Sequence, residues 1–104
     1  MDSQRKEKIL IQEKNAREFI NSRKFKDAEK AFRSLILLNN NNSDYHNDLA
    51  NVLKEQGNFS EAIIFYKKAI EINPNNLAVY INYGEALKSL HELDKGVQII
   101  KRAI

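Results

Sequence analysis

The sequence predicts an all-α protein, a right-handed α-solenoid of about three helix hairpins in which the third hairpin is truncated. Three observations predict it. The 104 residues include only three glycines and one proline, which leaves few turns and favours helices over many short strands. Small and apolar residues recur at an offset of 34 residues. Within each recurring unit, apolar residues fall at helical spacing.

The recurrence divides one domain, residues 1–104, into units. These are residues 9–42, 43–76 and 77–104, with residues 1–8 as a helical extension of the first helix. Equivalent positions hold side chains of similar size: Ala16, Ala50 and Gly84; Ala28, Ala62 and Gly96; Phe32, Tyr66 and Ile100. Small side chains at such places allow two helices to approach closely, so we expect each unit to be a packed helix pair.

The second unit carries the clearest signals for two helices. One helix face is formed by His46, Leu49, Ala50 and Leu53. We expect Ser43 or Asp44 to cap this helix, and Gly57 to end it, because glycine takes the left-handed conformation at low cost. Pro74 is expected to stop the second helix because proline lacks an amide donor.

The other two units depart from this pattern at three places. Asn40 stands where the second unit has its proline, and Arg23 and His91 stand where it has Gly57. A residue other than glycine at that place predicts a different turn or a small backbone strain. Gly96 replaces a packing alanine and is expected to weaken its helix by about 1 kcal/mol.

The second unit resembles a tetratricopeptide repeat. It reads His46-x2-Leu49-Ala50-x2-Leu53, then Ala62-x3-Tyr66, Ala69 and Pro74, against the family pattern W-x2-L-G-x2-Y…A-x3-F…P. The third unit follows the pattern with Tyr80, Tyr83, Gly84 and Leu87, and the first follows it more loosely. The resemblance covers residues 9–104. It implies a superhelix whose groove is lined by the first helix of each repeat.

The resemblance also implies a function, that of a non-catalytic protein–protein interaction scaffold that binds a peptide or partner segment in the groove. The groove positions include Lys14, Arg17, Asn47, Asp48, Asn51, Asn82 and Glu85. Asparagine side chains can hold a peptide backbone through paired donor and acceptor groups. That kind of recognition would tolerate many partner sequences.

Two specialised uses within the family can be compared residue by residue. Members that clamp the carboxyl termini of chaperones need a set of lysines, arginines and asparagines. The corresponding places here hold Glu13, Arg17, Asp48, Ala78 and Asn82, so we reject that use. Repeats of the O-linked N-acetylglucosamine transferase carry a ladder of asparagines. The ladder places here hold Lys14, Asp48 and Asn82, so one rung of the ladder is present.

Nothing in the sequence indicates catalysis, a cofactor or a metal. Cysteine is absent, and the two histidines, His46 and His91, lie in different units without a ligand pattern around them. We expect His46 to be a packing residue. The chain has no glycine-rich phosphate loop, and its carboxylates are spread over exposed faces.

The charge pattern argues against nucleic acid and membranes. The net charge is +3, and residues 1–30 hold nine Lys/Arg and six Asp/Glu, interleaved as on a solvated helix face rather than gathered in a basic stripe. The only apolar run near the start, residues 9–11, is too short for a signal segment or a membrane span. We expect a cytoplasmic protein.

The end of the sequence suggests two further hypotheses. The chain stops 28 residues into the third unit, so we expect part of an apolar face to be uncovered there. A homodimer formed through Val97, Ile100 and Ile104 would cover it. Alternatively, the chain is the N-terminal recruitment or dimerisation domain of a larger enzyme, such as a glycosyltransferase or another transferase.

Overall fold

A computed structural model describes the backbone of residues 2–103 and the side chains of residues 3–98 and 101. It contains five helices: α1 Asp2–Asn21, α2 Phe25–Leu38, α3 Ser43–Glu55, α4 Phe59–Ile72 and α5 Leu77–Ala103. Each helix packs against the next one in the chain, and the described residues contain no strand. The predicted all-α helical-repeat solenoid is confirmed. None of the helices within this described part is long and apolar enough to cross a membrane.

The small residues predicted at the helix contacts lie in the core. Ala16, Ala28, Ala50 and Ala62 have no exposed surface, and larger side chains such as Tyr66 fill the space around them. Helices packed through alanine come close enough for this interior to be continuous from α1 to α5. The N-terminal extension belongs to α1, and Arg5 in it donates a hydrogen bond to the carbonyl of Leu38 at the end of α2.

The turn between α3 and α4 confirms the role predicted for Gly57. Gly57 has a φ of 79°. Its amide donates to the carbonyl of Lys54, and the amide of Asn58 donates to the carbonyl of Leu53, both at 2.9 Å. These two bonds satisfy the last carbonyls of α3 in the manner of a Schellman motif.

The turn between α1 and α2 has the same bonding pattern without a glycine. The amide of Lys24 donates to Phe19 at 2.8 Å, and the amide of Arg23 donates to Ile20 at 3.0 Å. Arg23 has a φ of 58°, which is in the left-handed region. The predicted small strain is therefore located at Arg23, because a side chain with a Cβ adopts this conformation at a cost.

The connection before α3 differs from the expected cap. The N-cap is Asn42, whose side-chain oxygen accepts from the amide of Tyr45 at 3.2 Å. Ser43 and Asp44, the predicted candidates, lie inside the helix. The buried hydroxyl of Ser43 instead donates to the carbonyl of Ala69 at 3.0 Å. Ser43 thus satisfies a carbonyl near the end of α4 rather than an amide of its own helix.

His46 is confirmed as a packing residue. It is 2% exposed and stacks on the ring of Phe65 with a centroid distance of 6.0 Å. Its Nε2 lies 2.9 Å from the carbonyl of Asn40. The equivalent residue of the next unit, Tyr80, donates its hydroxyl to the carbonyl of Pro74 at 2.9 Å. Within residues 2–103, no group of histidines and carboxylates is arranged to hold a metal ion.

The third unit is not a hairpin, which corrects one element of the sequence prediction. We expected a turn at His91 and a second helix after it, but α5 continues from Leu77 to Ala103. No glycine or proline lies between Glu85 and Lys95 to end the helix. Apolar side chains also keep one helical phase through this stretch, at alternating spacings of four and three residues: Val79, Tyr83, Ala86, Leu90, Leu93 and Val97.

The continuous α5 leaves two apolar surfaces uncovered. Tyr80 and Leu87 are each 42% exposed, although their equivalents in the second unit, His46 and Leu53, are buried by α4. Beyond Leu90, the apolar stripe of α5 becomes exposed. Leu93 is 52% exposed and Val97 is 44% exposed. The third unit therefore supplies only the first half of a repeat.

Candidate partner-binding groove

An open groove of about 440 Å³ lies where α1, α3 and α5 face the same side of the solenoid. Residues of all three helices and of the first turn line it, among them Ile20, Arg23, Asp48, Asn51, Lys54 and Asn82. The first helices of successive units meet here because α1 and α3 each pair with the following helix on the other side, and α5 packs on α4. A second opening, bounded by Lys54, Glu85 and Lys88, borders it along α5.

Two asparagine side chains in the groove have fixed orientations. The hydroxyl of Tyr66, which is buried, donates to Oδ1 of Asn51 at 2.5 Å. Nδ2 of Asn82 donates to Oδ1 of Asn47 at 3.5 Å. These bonds leave Nδ2 of Asn51 as a donor and Oδ1 of Asn82 as an acceptor without partners among the described side chains. Such a pair has the chemistry to hold one peptide group of an extended segment.

The groove contains one ion pair. Nζ of Lys54 lies 2.8 Å from a carboxylate oxygen of Glu85 and links α3 to α5. The hydrogen bond from Lys54, together with its charge, lowers the pKa of Glu85. Because Glu85 is exposed, this pair is screened by water and contributes little to stability. Within the groove, this ion pair neutralises the positive charge of Lys54.

Asp48 is the group with the most perturbed acidity in the groove. Its pKa is raised to about 6, mainly by burial and also by the neighbouring carboxylate of Asp44, while Arg17 on α1 acts in the opposite direction. Because burial disfavours the charged form, the ionised Asp48 present at neutral pH is destabilised. Polar groups held at such a cost inside a groove are candidates for ligand contact.

The structure brings together some of the predicted groove residues and not others. Asp48, Asn51 and Asn82 line the same groove, and Asn47 and Glu85 contact groove residues. Lys14 and Arg17 are exposed on α1 and do not line the groove. For the predicted self-association face, Val97 is exposed. The side chain of Ile100 and all of Ile104 lie outside the described residues.

Sequence reasoning missed the end of the groove nearest the first turn. Ile20, Arg23 and Phe25 line it there, and the guanidinium of Arg23 lies 5.3 Å from the centre of the Phe25 ring. The 34-residue period contained a signal for this end of the groove. Arg23 occupies the turn position of Gly57, and such a turn lies next to the first helix of a repeat. The contact between Tyr66 and Asn51 was also missed, since Tyr66 reads as a packing residue.

Comparison with known proteins decides the family. One model described as the tetratricopeptide repeat matches residues 43–76, and a second with the same description matches residues 65–98. Together these ranges cover more than half of the sequence. The chain belongs to the tetratricopeptide-repeat family. The resemblance inferred from the sequence is confirmed, and the fold of this tetratricopeptide-repeat chain supports a protein–protein interaction scaffold.

Solved structures share the fold. The TPR2AB-domain:pHSP90-complex of yeast Sti1 superposes with a TM-score of 0.79 and 25% identity, over 88% of this chain and 36% of that one. The TPR2B-domain:pHsp70-complex of yeast Sti1 gives a TM-score of 0.78 and 24% identity, over 88% of this chain and 73% of that one. Both are tetratricopeptide-repeat domains solved with a partner.

The curated relatives are much longer proteins. Over 72 residues, the chain is 25% identical to the protein O-mannosyl-transferase Tmtc3 of Drosophila melanogaster, which corresponds to 69% of this chain and 8% of that protein. The mouse protein O-mannosyl-transferase TMTC3 is 27% identical over 60 residues, 58% of this chain and 6% of that protein. The chain thus spans less than a tenth of the length of these relatives.

Proposed function

We propose that this chain is a non-catalytic scaffold that holds an extended polypeptide segment of a partner protein in the groove formed by α1, α3 and α5. The observation that carries the proposal is the pair of oriented amides, Asn51 and Asn82, in a groove of about 440 Å³. Asn51 offers a donor and Asn82 an acceptor, which together match the two polar groups of a peptide unit.

The side-chain composition of the groove supports an extended segment rather than a small metabolite. Six of the nine lining residues carry polar or charged side chains, the apolar ones being Ile20, Phe25 and Val52, and the groove is open to solvent. Small-molecule sites are usually more enclosed and more apolar. Two of the solved structures that share the fold contain a protein partner, named pHSP90 and pHsp70 in their titles. That precedent is consistent with a polypeptide in this groove.

A double variant tests the proposal. Asn51→Ala with Asn82→Ala removes both oriented amides, and partners captured from lysate by the wild-type chain are mapped as overlapping 15-residue peptides on an array. We expect the double variant to lose binding to the same peptides by at least tenfold, because two hydrogen bonds are each worth about 1 kcal/mol.

The matched control is Tyr66→Phe. This variant also removes the hydrogen bond to Asn51, but it leaves both amides in the groove. A smaller loss of peptide binding in Tyr66→Phe, which removes only the bond that orients Asn51, than in the double variant supports the proposal. Equal binding by all three proteins contradicts a role of the groove amides.

A second candidate function is self-association through α5. It is favoured by the exposed continuation of the apolar stripe, which includes Leu93 and Val97. The alternating spacing of the stripe is typical of helices that pair with another helix. Light scattering at high micromolar concentration tests it. A dimer that Val97→Lys dissociates supports the candidate, and Leu37→Lys on α2 is the control because Leu37 is 88% exposed. A monomeric wild type contradicts it.

The alternative to a stand-alone scaffold is a recruitment or dimerisation domain within a larger enzyme. The observation that favours it is the similarity to two proteins named as O-mannosyl-transferases, of which the chain matches a small part. The size of the native polypeptide, detected by antibody to this segment, separates the two. A band near 12 kDa supports an adaptor, whereas a much larger band places the chain within a longer protein.

A further inference from the structure

Some charged side chains in the groove have an ion-pair partner and others do not. The cation of Lys54 is already paired with Glu85 at 2.8 Å. The carboxylate of Asp48 has no cation within ion-pairing distance among the described residues. Asp44, one turn earlier on α3, adds repulsion, and the attraction from Arg17 on α1 acts without direct contact. Arg23 and Glu55 also line the groove outside any of the described ion pairs, but both are exposed to solvent, whereas Asp48 is partly buried. At neutral pH the groove therefore contains a partly buried anion without a direct counter-ion.

We infer that the groove selects a polypeptide segment with a lysine or arginine side chain, and that this cation is placed against Asp48. The inference deepens the proposed function and rests on it, since it specifies the partner of the same groove. Asp48 lies one helical turn before Asn51 on α3, and both line the cavity together with Asn82. A segment held by these two amides would pass directly over the Asp48 carboxylate.

Desolvation makes this choice of partner selective. A neutral segment lying over Asp48 would remove water from the carboxylate without supplying a hydrogen bond or an opposite charge in its place. The loss of hydration would therefore weaken binding. An acidic side chain at the same place would add repulsion. A lysine or arginine would supply a charge-assisted hydrogen bond to the carboxylate. The partly buried state of Asp48, which also raises its pKa, is the condition under which such a bond has its largest effect.

The neighbouring units restrict the inference to one position of the segment. The places equivalent to Asp48 hold Lys14 on α1 and Asn82 on α5, a cation and a neutral amide. An anion is present only at the middle of these three places. Along this series of equivalent places, the groove is therefore suited to a basic side chain at one fixed position.

The test uses a degenerate library of eight-residue peptides that are acetylated and amidated, so that no terminal charge contributes. The library is selected on the immobilised wild-type chain, on Asp48→Asn and on Asp44→Asn. Asp48→Asn keeps the shape of the side chain and removes its charge. Asp44→Asn removes the neighbouring exposed charge and serves as the matched control.

We expect wild type and Asp44→Asn to enrich peptides with lysine or arginine at one fixed position, and Asp48→Asn to lose that enrichment about tenfold, the effect of about 1.4 kcal/mol. Peptides enriched without a basic position, or with the same basic position on Asp48→Asn, would overturn this inference and leave the peptide groove intact. Enrichment of no peptide on any of the three proteins would overturn the proposed function itself, and this inference with it.

Discussion

The second unit and the third unit begin alike and end differently. In the second, α3 ends at Glu55, the chain turns at Gly57, and α4 packs back over Leu53. In the third, α5 passes the equivalent place, His91, as a continuous helix, and Leu87 remains exposed. The same 34-residue spacing of small and apolar residues thus accompanies a hairpin in one unit and a single helix in the other.

The difference shows that the repeat pattern alone does not make a hairpin. A turn needs a residue that accepts the left-handed conformation, and the returning helix must gain enough contact to offset the cost of the turn. Arg23 makes the first turn without glycine, so glycine is helpful rather than necessary. In α5 the apolar stripe keeps its helical phase through Leu90 and Leu93, so the pattern is compatible with a straight helix.

The largest expected effect compares Leu53 with Leu87. Leu53→Ala should lower the free energy of unfolding by about 2–5 kcal/mol, because it leaves a cavity between α3 and α4. Leu87→Ala should cost less than about 1 kcal/mol, since its side chain is already in contact with water. Urea denaturation followed by circular dichroism measures both. Similar losses for the two variants would mean that α5 is covered in solution.

The next effect concerns the charge of Asp48, whose equivalent in the third unit is the neutral Asn82. The raised pKa of Asp48 means that the folded chain binds this proton more tightly than the unfolded chain. The contribution of Asp48 to stability is therefore largest below the ordinary aspartate pKa of about 4 and is lost as the pH rises to about 6. Asp48→Asn should therefore stabilise the fold at pH 7 by roughly 1–2 kcal/mol, after allowance for partial exposure.

If burial of the Asp48 charge is the cause, the stability gained by Asp48→Asn should depend on pH. The advantage of Asp48→Asn should shrink as the pH falls and disappear near about pH 3, below the ordinary aspartate pKa, where the wild-type carboxyl carries a proton in both states. Asp44→Asn should show a much smaller dependence. Urea melts at a series of pH values provide the measurement, and a constant difference between pH 4 and pH 7 would exclude burial of the charge as the cause.

The third comparison is between two glycines, at which substitution by alanine should change stability in opposite directions. Gly57→Ala should destabilise the fold by about 1 kcal/mol, because Gly57 has a φ of 79°. Gly96→Ala should stabilise α5 by about 1 kcal/mol, since an added Cβ meets no atom within 4 Å and alanine favours helix. Thermal melts compare the two. Destabilisation by Gly96→Ala would indicate that a second helix packs against this position.

The smallest effect is expected at the first turn. Arg23→Gly should raise the free energy of unfolding by about 0.5–1 kcal/mol, because it relieves the left-handed strain. Its contact with the Phe25 ring is lost at the same time, so Arg23→Ala is the control that loses the contact and keeps the strain. Arg23→Gly should be the more stable of the two. The reverse order would mean that the ring contact outweighs the backbone strain.

Much of the fold could be predicted because local and periodic signals agreed. Gly57 and Pro74 mark a turn and a stop, and the alanines at 34-residue spacing identify the helix contacts. The failure at His91 has a physical origin. Residues 85–95 are compatible with a helix, and their apolar spacing fits either a straight helix or a returning one. The cap before α3 was misplaced because Ser43 uses its hydroxyl on α4, a contact that only the tertiary structure reveals.

The groove was predicted less completely than the fold. Helical spacing was enough to bring Asp48 and Asn51 to one surface, and the 34-residue period placed Asn82 beside them. Spacing could not indicate that Tyr66 orients Asn51, or that Lys54 pairs with Glu85 across two units. Both contacts depend on side-chain directions between helices. The partners of the polar and charged side chains in the groove can therefore be identified only after the helices are packed.

The length of α5 has a consequence for how partners could be combined. A helix of 27 residues is about 40 Å long, and the part beyond Leu90 extends about 20 Å from the packed region. A helix bound there would lie too far from Asn51 to compete with a peptide in the groove. If two chains joined through this part of α5, two grooves would be held at a fixed separation. A partner with two suitable segments would then bind the pair with a gain in avidity that neither groove has alone.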